Sequence, residues 1–72
     1  LESKQNICDL LFEAIRRTNA GEDLTALKYV KDGDTEYVYA DFIDAPAARR
    51  INVTIDSGWA MIKDIVNHLD IG

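Results

Sequence analysis

Residues 24–42 read LTALKYVKDGDTEYVYADF, and this stretch decides the fold. Two runs rich in β-branched and aromatic residues, 24–31 and 35–42, meet at Lys31-Asp32-Gly33-Asp34-Thr35. Gly beside Asp suits the left-handed backbone of a tight hairpin turn, so the segment predicts two antiparallel strands. A two-residue turn at Gly33-Asp34 pairs Lys31 with Glu36, Tyr29 with Val38 and Leu27 with Ala40. A turn at Asp32-Gly33 shifts the pairing by two and keeps the same faces. An odd-length loop would flip one strand against the other. One face then carries Leu27, Tyr29, Val38, Ala40 and Phe42. The other carries Lys28, Val30, Tyr37, Tyr39 and Asp41. The first is the more apolar and is assigned to the core.

Helices are expected on either side of this hairpin. Over residues 3–20, Ile7, Leu10, Leu11, Ala14 and Ile15 form one apolar stripe at helical spacing, with Cys8 and Phe12 beside it. Ser3 is placed to cap the start, and Gly21 to end the helix in a left-handed cap. After an irregular connection containing Pro46, residues 50–55 alternate. Ile51, Val53 and Ile55 face one way; Arg50, Asn52 and Thr54 face the other. Asp56 or Ser57 then caps a second helix, whose stripe is Trp59, Ile62, Ile65, Val66 and Leu69, ending near Gly72. Trp59 reads as a core anchor. The expectation is one α+β domain spanning residues 1–72, in the order α-β-β-β-α. Short links favour a three-stranded antiparallel meander with both helices packed on its apolar face in two layers.

The bulk numbers narrow the function. The chain has 72 residues, a net charge of −5, 47% apolar and 29% charged residues, and no repeat or low-complexity tract. Such a balance suits a globular domain, and no stretch is long and apolar enough for a membrane span. Domains below about 70–80 residues rarely gain more than about 3–5 kcal/mol from the core alone. An internal disulfide is impossible with Cys8 as the one cysteine. With one Cys and one His, a zinc site is not expected. A lone cysteine fits a reducing, cytoplasmic setting. The chain begins at Leu1, as expected of a trimmed chain or a piece of a longer one, and shows no signal-peptide pattern.

No motif identifies a chemistry. Asp32-Gly33-Asp34-Thr35-Glu36 resembles the start of a calcium loop. Its sixth and twelfth positions, Tyr37 and Ile43, are not the Gly and Glu such a loop needs. His68 reads as helix-end structure, and Cys8 as a small buried hydrophobe. Asp41, Asp44 and Asp56 lack an accompanying nucleophile or phosphate cradle. No catalytic residue, cofactor, metal or small-molecule substrate is expected, and the reading is of a non-enzymatic protein.

The uncovered sheet face is the candidate contact surface. Lys28, Val30, Tyr37, Tyr39, Arg50 and Asn52 compose it, with Thr54 at its margin. Tyrosine beside Arg and Asn is typical of protein interfaces, so the expected partner is a protein or a second copy in a homodimer. Two alternatives use related features. Single-stranded nucleic acid would stack on the tyrosines, with Lys28, Arg49 and Arg50 along its backbone; the acidic balance weighs against it. The element order is similar to that of the double-stranded RNA-binding domain. That family carries a lysine cluster at the start of its last helix, where Ser57-Gly58-Trp59-Ala60-Met61-Ile62-Lys63 offers one lysine. The other alternative is an acidic decoy for a basic, nucleic-acid-handling protein, presenting Glu22, Asp23, Asp32, Asp34, Glu36, Asp41 and Asp44.

Overall fold

The computed structural model describes residues 3–19 and 21–69. Its elements are α1 (Lys4–Arg16), β1 (Leu24–Asp32), β2 (Thr35–Phe42), β3 (Arg49–Asn52) and α2 (Gly58–Leu69). The strands form one antiparallel sheet in the order β1-β2-β3. Residues of both helices and of one sheet face share a single core, so the fold is the expected two-layer α-β-β-β-α arrangement.

The hairpin takes the two-residue turn. Lys31 pairs with Glu36, Tyr29 with Val38 and Leu27 with Ala40, and Gly33 supplies the positive φ of 62° that the turn requires. Strict alternation would aim Thr25 at the core. Instead the register shifts between Leu24 and Ala26. This bulge turns Leu24 inward, where it is fully buried, and the Thr25 hydroxyl donates to the Asp41 carbonyl at 3.2 Å.

α1 starts where expected, with Ser3 Oγ accepting the Asn6 N–H at 3.1 Å. It ends at Arg16, earlier than position 20; Ala20 itself, like everything past Leu69 in α2, lies outside the described residues. The terminating device is Thr18. Its hydroxyl donates to the Ile15 carbonyl at 2.7 Å and accepts the Gly21 N–H at 3.0 Å. The C-cap residue is Arg17, in right-handed geometry, so the expected left-handed cap at Gly21 is not how this helix ends. Gly21 is needed for close approach. A Cβ there would sit 2.8 Å from the Ile15 carbonyl carbon and closer still to its oxygen and Cγ2.

The helix faces are rotated from the expected stripes. Cys8 and Ile15 are buried, with Ile7, Leu11 and Phe12 packed beside them, whereas Leu10 is 65% exposed and Ala14 is exposed. In α2 the core line is Met61, Ile65 and Leu69, at four-residue steps. Trp59 is 70% exposed and anchors nothing. Gly58, which precedes it, approaches Ile7 of α1 so closely that a Cβ would meet the Ile7 Cδ1 at 3.0 Å. With that residue turned toward α1, the next side chain points outward.

β3 stops at Asn52 instead of continuing to residue 55. Asn52 Oδ1 accepts the Thr54 N–H at 3.0 Å, an Asx turn that draws the chain out of the ladder. Val53 stays fully buried, its carbonyl accepts the Asp56 N–H at 3.0 Å, and Ile55 is left 95% exposed. Ser57 Oγ then accepts the Ala60 N–H at 3.3 Å to start α2.

Candidate functional site: the outer sheet face

The register places the candidate residues in two rows across three strands. Lys28, Tyr39 and Arg50 form one row; Val30, Tyr37 and Asn52 form the other. Lys28, Val30, Arg50 and Asn52 are exposed, and the tyrosines are half-buried by their neighbours. The Tyr37 and Tyr39 rings lie 6.3 Å apart between centroids and tilted by 51°. The Arg50 guanidinium reaches diagonally over Tyr37, 4.8 Å from the ring centre. Cation–π contact at an exposed position contributes about 0.5–1 kcal/mol, enough to bias where Arg50 rests. The face therefore offers two phenol hydroxyls, an ammonium and a guanidinium around an aromatic centre, and no described helix covers it.

Three expected contributors behave differently. Arg49 belongs to the opposite parity and stacks on Phe42, 5.0 Å from its ring centre, so its charge is not part of this face. The Thr54 hydroxyl accepts the Glu36 N–H at 3.0 Å and donates to Asn52 Oδ1 at 2.7 Å. That carbonyl oxygen of Asn52 is thereby committed within the chain. Glu36 is not a free surface acid.

Glu36 instead centres a polar cluster at the hairpin end of the core. It accepts from Lys4 Nζ at 2.7 Å and from the Tyr29 hydroxyl. Lys4 Nζ also donates to the Val53 carbonyl at 3.3 Å. The Lys4 hydrogen bond, and after it that of Tyr29, hold the Glu36 carboxyl below its ordinary value. The same bond to Glu36, with burial second, pushes the Tyr29 phenol up to about 12. The signal was present in the sequence. Glu36 shares parity with Val38 and Ala40, and a charge placed toward a core needs partners.

Cys8 is buried, and its thiol is pushed up to about 11, first by burial and then by Asp9. His68 is exposed on the last turn of α2. Asp56 meets neither Asp41 nor Asp44; its partner is Asp64. Hydrogen bonding with that carboxyl group, and then burial, raise Asp56 above the ordinary Asp value. Its Oδ2 is buried with no hydrogen-bond partner. Among the described residues, no group of three or more His, Cys, Asp or Glu converges as a metal centre requires. Nor is any helix among them long and apolar enough to cross a membrane.

Comparison with known proteins finds no matching family model and no match among curated proteins or solved structures.

Proposed function

We propose that this chain is a small non-enzymatic interaction module that binds a protein, a second copy included, through the outer face of its sheet. The supporting observation is the aromatic pair Tyr37–Tyr39 at the centre of an uncovered face, flanked by Lys28 and Arg50. Rigid aromatic side chains ringed by Arg and polar groups give large contact area at low ordering cost. The nucleic-acid alternative draws on the same rings. It is the weaker reading because Arg50 already occupies one face of Tyr37 and Arg49 lies on the opposite side of the sheet. The decoy alternative loses Glu36 to the Lys4 ion pair.

Light scattering coupled to size exclusion at two concentrations is the first test. A concentration-dependent dimer that the Tyr37→Ala/Tyr39→Ala double variant abolishes supports the reading. A chain that stays monomeric, and whose double variant captures the same proteins from lysate as the parent, refutes it. An oligonucleotide titration at low salt that shifts the signals of Tyr37 and Tyr39 would favour nucleic acid instead.

A further inference from the structure

A second surface lies at the edge of β3, apart from the outer face. The Val53 N–H donates to the Glu36 carbonyl at 2.9 Å. Backbone groups alternate in direction along a strand. Ile51, two residues earlier, therefore also points its N–H and C=O at β2, while those of Arg50 and Asn52 point away from the sheet. Among the described residues no strand lies on that side and no backbone group answers them. The other edge of the sheet is partly taken up by α1. On β1 the outward Tyr29 N–H is taken by Gln5 Oε1 of α1 at 3.1 Å.

Beside the β3 edge runs a cleft of about 470 Å³, lined by Arg50, Ile51 and Asn52 on one wall and by Asp64, Asn67 and His68 of α2 on the other. The α2 residues recur at steps of three and four, one face of the helix. A strand edge beside a helix is the geometry of strand-addition peptide sites. The titratable lining of this cleft is Arg50, Asp64 and His68. Arg50 is drawn over Tyr37 on the outer face. Asp64 lines the cleft; Asp56, outside the lining but paired with Asp64, has one buried carboxyl oxygen, Oδ2, that no donor answers.

We propose that the β3 edge binds an extended, basic peptide segment of a partner protein, added antiparallel as a fourth strand, with one Lys or Arg side chain entering the cleft toward Asp64 and Asp56. The stereochemistry follows from the ladder. Two peptide residues, one opposite Arg50 and one opposite Asn52, exchange N–H···O=C bonds with them. The residue between them lies opposite Ile51. Paired residues point to the same side of a sheet, so that single side chain is directed toward α2. The cation belongs at this position. The flanking side chains fall on the outer face. This site goes beyond the proposed outer-face function and stands or fails separately from it.

The test is an NMR titration of the full chain with acetylated, amidated Thr-Val-Lys-Val-Thr. The expected result is saturable shifts at residues 49–52 and 64–68. Exchanging the central Lys for Glu, or introducing Asp64→Asn, is expected to weaken binding about tenfold or more, as for loss of a charge-assisted hydrogen bond. Methylating both Val nitrogens removes the strand-pairing donors and is expected to abolish binding. Asp64 is exposed, so its variant is expected to fold, with circular dichroism as the check; Asp56→Asn is the second variant. Lys28→Ala, on the far strand of the outer face, is expected to leave this binding unchanged. Absence of shifts at millimolar peptide, equal binding of the Lys and Glu peptides, or indifference to N-methylation overturns the proposal. Shifts confined to Tyr37 and Tyr39 also overturn it, and leave the outer-face reading standing.

Discussion

Two glycines of this chain are required for different reasons, and their alanine variants separate those reasons. At Gly33 the backbone has φ of 62°, and a Cβ would meet nothing within 4 Å. Alanine there incurs only the left-handed conformational cost, about 1–2 kcal/mol. At Gly21 the obstacle is Ile15. The added carbon would fall 2.8 Å from the carbonyl carbon and nearer to its oxygen and Cγ2, whereas real Cβ contacts essentially never fall under 3.0 Å. Two of these three atoms are backbone, and Ile15 is 4% exposed, so relief means shifting the end of α1 against the core. Overpacking of this kind costs about 1–3 kcal/mol and sometimes more. The same shift strains the hydrogen bonds of the Gly21 N–H to the Thr18 hydroxyl at 3.0 Å and carbonyl at 3.2 Å, adding about 1 kcal/mol. Gly21→Ala is therefore expected to cost about 2–4 kcal/mol, a large fraction of the stability available to so small a domain. Each kcal/mol lowers the melting temperature of a domain this size by about 4–8 °C. Urea and thermal unfolding followed by circular dichroism give both numbers. The order is the decisive result: Gly21→Ala no worse than Gly33→Ala would refute the account of Gly21.

Three further outcomes follow from titratable groups. Asp56 has a folded pKa above its ordinary value, so the stability tied to its protonation is complete below that ordinary value and lost as pH rises through the folded one. Asp56→Asn is accordingly expected to raise the melting temperature at pH 7, with the gain vanishing in acid; a gain independent of pH would contradict the Asp64 pairing. Glu36 has the opposite sign. Its depressed pKa supplies stability above the ordinary value that disappears as pH falls through the folded one, so Glu36→Gln is expected to flatten the decline in melting temperature as pH falls below the ordinary Glu value. Cys8, buried with its thiol pushed up to about 11, is expected to react with a disulfide reagent at pH 8 only as fast as the chain opens, a rate that urea should accelerate; prompt reaction in the native state would refute the burial.

The hairpin was legible in the sequence because its information is local. A two-residue turn at Gly33 sets parity, and parity assigns every side chain from Leu27 to Ala40 to a face. The outer-face residues followed from the same argument. Helix rotation was harder to read. Each apolar stripe is wider than the core it covers, so hydrophobicity alone could not say that Cys8 lies innermost while Leu10 is left outside. A small side chain lets the helix approach the sheet, and that depends on the distance between layers. Trp59 and Ile55 were misplaced for geometric reasons: Gly58 abuts Ile7, and the Asn52 side chain ends β3 early. The pairing of Asp56 with Asp64 and the cleft beside β3 required α2 to be set against the sheet in three dimensions.

The outward position of Trp59 determines what fluorescence will report. It is the one tryptophan of the chain, and at 70% exposure its indole is already largely in water. Unfolding will change its emission colour little, so a flat fluorescence trace during denaturation would not mean an intact fold. The same exposure makes the indole a clean local sensor. A blue shift on adding a partner would mark contact at the first turn of α2, and its absence would direct attention to the sheet.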